Sequence, residues 1–100
     1  MARPLSFAAI SVLHAVASGA SYGFEVIDAT GLASGTVYPA LGRLQRDGLV
    51  ASSWEDASIA QEDKRPPRRY YRLTAPGARL LNEELGRYRA LKPITVRGRA

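Results

Sequence analysis

Three observations on this 100-residue sequence predict a mainly α-helical domain with one small β-hairpin. Apolar residues recur at helical spacing through most of the chain, as in Val37, Leu41 and Leu44 at i, i+4 and i+7. Two short stretches carry strand signals instead, the loosely alternating Leu49–Glu55 and the aromatic Arg68–Leu73. Glycine follows two of the helical segments, at Gly31 and Gly48, where a left-handed backbone ends a helix.

The first helix is expected over Ser6–Ser18. Leu5, Ala9, Val12, Leu13 and Val16 form its core stripe, and Phe7, Ile10, His14 and Ala17 form a second, displaced stripe. A helix apolar on two sides must be covered on two sides. The second face therefore meets another subunit or is wrapped by its own chain. A short second helix, Tyr22–Ala29, supplies Val26 and Ile27 to the core and ends at Thr30-Gly31. Tyr22 at its start either places a hydroxyl on phosphate or is a half-buried ring. The third helix carries the Val37-Leu41-Leu44 stripe inward, with Ser34 as its expected cap. Gly35, Thr36, Pro39, Arg43 and Arg46 fall on the opposite side, a face slim at its start and ending in two arginines. Either this is the face that close approach to a DNA groove requires, or it is an ordinary surface helix with two solvated arginines.

Between the two strands, Asp56 to Pro67 reads as a polar loop longer than a tight hairpin needs. Its start is acidic (Asp56, Glu62, Asp63) and its end basic (Lys64, Arg65, then Arg68 and Arg69). Either this is a wing laying cations along a phosphate backbone, or it is a solvated loop with unrelated charges. Thr74 caps a last helix in which Leu81, Leu85 and Tyr88 recur at i, i+4, i+7 between charged borders, the pattern of a helix that packs on a partner helix. Gly86 weakens that helix, and Pro93 ends it. The chain thus divides into a winged helix-turn-helix body (residues 1–74), a C-terminal dimerisation helix (75–92) and a basic tail (93–100), without repeat or linker.

The net charge of +5 is unevenly placed. Arg3, Arg43 and Arg46 balance Glu25, Asp28 and Asp47 in the first half, so the whole excess lies beyond residue 50, which suits a polyanion. The absence of cysteine excludes disulfides and thiolate metal sites. The N-terminal segment is too weakly apolar for a signal peptide or a membrane span, so a cytoplasmic protein without membrane contact is expected. Enzyme chemistry finds little support. His14, the one histidine, sits on an apolar stripe; the acids 56, 62 and 63 frame no substrate; no glycine loop follows a strand; and Ser34 has no paired base. No cofactor or metal is expected.

The runs Gly35-Thr36-Val37-Tyr38-Pro39-Ala40-Leu41, Arg43-Leu44, Asp47-Gly48-Leu49-Val50, Trp54-Glu55 and Arg69-Tyr70-Tyr71-Arg72-Leu73-Thr74, in this order and spacing, resemble the PadR family of bacterial transcriptional regulators. Tyr22-Gly23-Phe24-Glu25-Val26-Ile27 matches that family's front region less tightly. The likeness spans roughly residues 5–92. Two departures stand out: Ala33-Ser34 where the family commonly has Ser-Pro, and the longer wing. The resemblance implies a winged helix-turn-helix, homodimerisation through the C-terminal helix, and repression from a palindromic operator. Some members of that family bind planar aromatic effectors at the dimer centre, so an effector is possible here, of unspecified identity. The residues expected at double-stranded DNA are Thr36, Pro39 and Arg43 in the major groove, Ser34 and Gly35 at the start of the same helix, Arg46, Tyr38 and Tyr22 nearer phosphate, and Lys64, Arg65 and Arg68 from the wing. The residues expected at the dimer interface are Phe7, Ile10, His14, Leu81, Leu85 and Tyr88. The competing function is a winged-helix module binding an acidic protein through the same surface.

Overall fold

A computed structural model describes the backbone of residues 5–90 and the side chains of 5–87. Its elements run α1 (Phe7–Ala17), α2 (Gly23–Thr30), α3 (Ser34–Arg46), β1 (Val50–Trp54), α4 (Ala57–Glu62), β2 (Arg69–Leu73) and α5 (Ala75–Ala90). The basic tail and the expected stop at Pro93 lie outside the described residues, as does the side chain of Tyr88.

Helix α1 starts where the Ser6 hydroxyl accepts from the Ala9 N–H (3.1 Å). It packs against α2, α3, α5 and β2, with Val12 and Leu13 sealed from solvent. Its second stripe divides. Ile10 is buried in the subunit's own core, whereas Phe7, His14 and Ala17 stay exposed. At α2, Glu25 folds back so that its Oε1 accepts from the Ser21 N–H and hydroxyl, both at 2.8 Å. The Ser21 N–H, then its hydroxyl, hold this carboxyl below the usual glutamate value. Gly31, at φ 71°, turns the chain from α2 into α3. Helix α3 buries Val37, Leu41 and Leu44 completely, so the expected inward stripe is the observed one. Its cap is not Ser34, which is already helical. Ala33 holds the cap position and offers no side-chain acceptor.

Strands β1 and β2 pair antiparallel, from Val50 opposite Leu73 to Trp54 opposite Arg69. The α1–α2 loop adds a third edge, because the Tyr71 N–H donates to the Ser21 carbonyl (2.7 Å) and Tyr22 bridges Tyr70. The stretch expected as a plain loop instead contains a helix, α4. The Asp56 carboxylate caps it, accepting from the Ser58 hydroxyl and N–H, both at 2.8 Å. These bonds hold Asp56 below its ordinary pKa. Helix α4 ends in a Schellman turn with the Arg65 N–H on the Ala60 carbonyl (3.1 Å) and the Lys64 N–H on the Gln61 carbonyl (3.0 Å). Lys64 occupies the left-handed position usually given to glycine, at φ 56°.

Helix α5 is joined to the end of α3 through Thr74. Its hydroxyl donates to the Gly48 carbonyl (2.7 Å) and accepts from the Gly77 N–H (3.1 Å), capping α5 as expected. Its N–H donates to the Leu49 carbonyl (3.2 Å). Gly77 lies so close to that carbonyl that a Cβ would overlap it. Leu81 is buried in the subunit's core and Leu85 packs at its edge. Of the stripe expected to face a partner helix, Leu81 is therefore already covered within the subunit.

The two glycines of α5 should respond oppositely to alanine. Gly86→Ala adds a Cβ that meets nothing within 4 Å and should stabilise the fold by about 1 kcal/mol. Gly77→Ala must displace the Leu49 backbone and should cost about 1–3 kcal/mol, a drop of several degrees in melting temperature. Thermal unfolding of the two variants checks both signs.

Candidate nucleic-acid interface

The outward face of α3 carries Ser34, Gly35, Thr36 and Pro39, all exposed, then Arg43 and Arg46 toward its end. Pro39 lies within the helix, so the Gly35 carbonyl lacks its usual helical donor on the solvent side. Arg46 is exposed, and Arg43 is half-buried with its Nε 3.6 Å from Asp47. Such a surface pair is weak and yields readily to a competing acceptor. The Tyr38 ring lies over Gly23 at the start of α2, where any Cβ would overlap it. It thereby ties α3 to α2 while remaining 46% exposed.

Tyr22 is a half-buried ring. It meets Tyr70 edge to face, with centroids 5.9 Å apart and planes at 87°, and the Arg68 guanidinium stacks 4.2 Å above it. Tyr22, Phe24, Tyr38, Pro67 and Arg68 line one hollow of about 290 Å³, so α2, α3 and the basic end of the wing meet there.

The wing is organised around Glu55, which the sequence shows only as part of the Trp54-Glu55 motif and not as a wing contact. Its Oε1 accepts from Arg65 Nη1 (2.5 Å) and the Arg68 N–H (3.2 Å), and its Oε2 from Arg65 Nη2 (2.8 Å) and the Tyr70 hydroxyl (3.1 Å). Its side chain is only 6% exposed. The Arg65 guanidinium first, helped by the Arg68 N–H and Tyr70 against the cost of desolvation, pulls the carboxyl down to about 2. Arg65 also reaches Asp63 at 3.2 Å. Its charge is thus engaged inside the wing, unlike the free phosphate ligand expected from sequence, while Lys64 is exposed. Arg69 joins the hairpin to α3: its Nε donates to the Ser52 hydroxyl (3.0 Å), its Nη2 to Gln45 Oε1 (3.2 Å), and its guanidinium lies 5.4 Å from the exposed Trp54 ring. The Trp54-Glu55 pair is visible as a motif. Its partners are not, because they lie 10 to 15 residues further along.

A second, larger hollow of about 650 Å³ lies between α1, the end of α2 and α5, lined by Phe7, Ile10, His14, Ala15, Ala29 and Leu85. Among the described residues no group of His, Cys, Asp and Glu is placed to hold a metal ion. No described helix is long and apolar enough to cross a membrane.

Two helices joined at Gly31, the second with an open outer face, followed by a hairpin wing, define a winged helix-turn-helix of the kind found in DNA-binding regulators. Residues 12–83 match the model of the Transcriptional regulator PadR-like family, and the chain belongs to that family. No curated protein sequence matches it. Among solved structures, a PadR family transcription regulator from Clostridium difficile superposes with a TM-score of 0.75 at 23% identity, over 86% of this chain and 91% of that one. A PadR-like transcription factor from Bacteroides fragilis gives 0.71 at 26% identity over 83% and 81%. A PadR family regulator from Eggerthella lenta gives 0.65 at 28% over 80% and 72%.

The low pKa of Glu55 makes the wing acid-sensitive with a definite sign. A carboxyl depressed from an ordinary 4.5 to about 2 contributes stability that is complete above about 4.5 and is lost as pH falls toward 2. In urea unfolding followed by the fluorescence of Trp54, the sole tryptophan, the advantage of wild type over Glu55→Gln should be constant from pH 7 to 5 and shrink below. A pH-independent difference would contradict the ionised clamp.

Proposed function

We propose that the protein is a cytoplasmic homodimeric repressor that recognises a palindromic operator. In this reading Thr36, Pro39 and Arg43 face the major groove, with Ser34 and Gly35 allowing close approach of the first turn. Arg46 and Tyr38 lie nearer the backbone, and Lys64 and Arg68 reach the neighbouring phosphates or minor groove. The observation that carries this reading is the convergence of Tyr38 of α3, the start of α2 and Arg68 of the wing on one hollow, beside the slim outer face of α3. The winged helix of Lactococcus lactis ZitR, solved in complex with DNA, shares this fold with a TM-score of 0.64 at 21% identity, over 86% of this chain and 54% of that one. A module for acidic proteins would use the same cations, but it would not give the steep loss of affinity with salt that counterion release imposes on DNA binding. Selection from a random duplex pool, followed by salt titration, tests the reading. A palindrome with two half-sites about 34–36 Å apart supports it, and no enrichment overturns it.

The dimer in this reading forms over the hollow between α1 and α5, using Phe7, His14 and Leu85 around an Ile10 floor. The same space suits a small planar effector. In Bordetella bronchiseptica BpsR, similar in fold at a TM-score of 0.72 and 24% identity, DNA binding is regulated by 6-hydroxynicotinic acid.

Two variants probe the assignment. Arg43→Ala should lose about 1–3 kcal/mol on the selected operator and relax preference at one position per half-site; equal losses on operator and random duplex would make Arg43 a phosphate contact only. Phe7→Glu places a charge at a side chain 70% exposed in the subunit, so folding should persist while the dimer splits. Sedimentation should show monomer with operator binding abolished. A folded, dimeric variant that binds normally would place the interface elsewhere.

A further inference from the structure

We propose that Glu55 and Arg65 are a positioning pair, through which an acidic residue of the wing raises the affinity of the protein for DNA. The inference rests on the DNA-binding reading above and deepens it.

Glu55 follows β1, Arg65 follows α4, and Arg68 precedes β2. The bidentate Arg65–Glu55 contact, the Arg68 N–H on Glu55 Oε1 and the Glu55 N–H on the Arg68 carbonyl (2.8 Å) close the wing upon itself at its base. What they enclose does not hold itself together. Helix α4 has six residues, far fewer than an isolated helix needs, and its last turn requires Lys64 in a left-handed conformation that a side chain disfavours. Planar two-bond geometry between guanidinium and carboxylate, shielded from water, supplies the missing constraint. It also fixes which cations face outward. Arg65 is spent on Glu55 and Asp63. The wing's contacts are then exposed Lys64 and the Arg68 guanidinium on Tyr22, which has no ion pair within 4.0 Å among the described residues.

The consequence has a sign opposite to charge counting. Removing an acid from a basic DNA-binding surface should tighten binding if only net charge matters. If Glu55 positions the wing, Glu55→Gln should weaken binding by roughly tenfold and lower the slope of log affinity against log salt by about 0.9 for each phosphate no longer neutralised. Glu55→Asp keeps the charge but shortens the reach, so it should also weaken binding, where net charge predicts no change.

The test measures affinity and salt slope for Glu55→Gln, Glu55→Asp, Arg65→Gln and the double Gln variant of the full chain, on the selected operator and on random duplex. Amide hydrogen exchange of residues 56–68 without DNA is measured in parallel. The pair predicts that all four weaken binding, that the double variant loses no more than either single Gln variant, and that exchange in the wing rises while the core stays protected. Tighter binding by Glu55→Gln with weaker binding by Arg65→Gln, the effects adding in the double, would make Arg65 a direct phosphate contact and overturn the proposal. Unchanged exchange in Glu55→Gln would overturn it as well. If wild type binds no duplex, the DNA reading fails, and the exchange result still decides whether the two residues hold the wing.

Discussion

Burial of α1 is the constraint on which the rest of the fold depends. Its residues Val12 and Leu13 are closed from solvent, and α2, α3, α5 and β2 all pack against it. A 100-residue chain has room for one modest core, and here that core is built around a single helix. The orientation of α3 follows directly. With Val37, Leu41 and Leu44 committed inward, Thr36, Pro39 and Arg46 have nowhere to point but out. The exposure of the face proposed to meet DNA is thus a by-product of hydrophobic packing on the opposite side of the same helix.

The hairpin of the wing meets this core through Val50, Tyr71 and Leu73, and polar contacts add to its placement. Three contacts act in series. Thr74 stitches the end of β2 and the start of α5 to Gly48 and Leu49. Arg69 spans from β2 to Gln45 on α3 and Ser52 on β1. Ser21 and Tyr22 pair with the outer edge of β2. Each is worth little alone, on the order of 1 kcal/mol for a net hydrogen bond. Distributed over three directions, they leave the hairpin little freedom to pivot relative to α3, and a fixed angle between the two is what simultaneous contact with a groove and its flanking backbone requires.

What is legible in the sequence is what local periodicity and capping chemistry control. The stripe of α3, the Thr74 cap, the glycine-terminated helices and the two strands all follow from residues within one or two turns of each other. The cap of α3 is displaced by one residue from the expected Ser34 because Ser34 itself begins the helix and Ala33, without an acceptor, takes the cap position, a choice that local propensity barely separates. Helix α4 is hidden in the sequence because six residues are too few for an apolar period, although Asp56 is a legitimate cap signal. The double stripe of α1 is plainly apolar. Spacing alone, however, cannot say whether a face is covered by the same chain or another, and Ile10 and Leu81 prove to be covered by their own. Arg65 marks the same boundary in electrostatics: its charge is legible in sequence, but its partner at Glu55 is a matter of folding.

That boundary changes how the charge of such a domain is to be counted. The sequence places acids 55, 56, 62 and 63 among the basic residues of the wing, an arrangement that looks self-defeating on a surface proposed to meet a polyanion. In the folded chain three of the four have an internal task. Asp56 caps α4, Glu55 ties the wing's base through Arg65, and Asp63 shares that guanidinium. An acid whose charge is matched by an adjacent guanidinium contributes little to the field a Debye length away, and the arginine it matches contributes equally little. Arg65 therefore adds little to the outward field of the wing, whose basic side is left to Lys64, Arg68 and Arg72. Glu55 helps to hold those cations in place, while Glu62 stays exposed beside them.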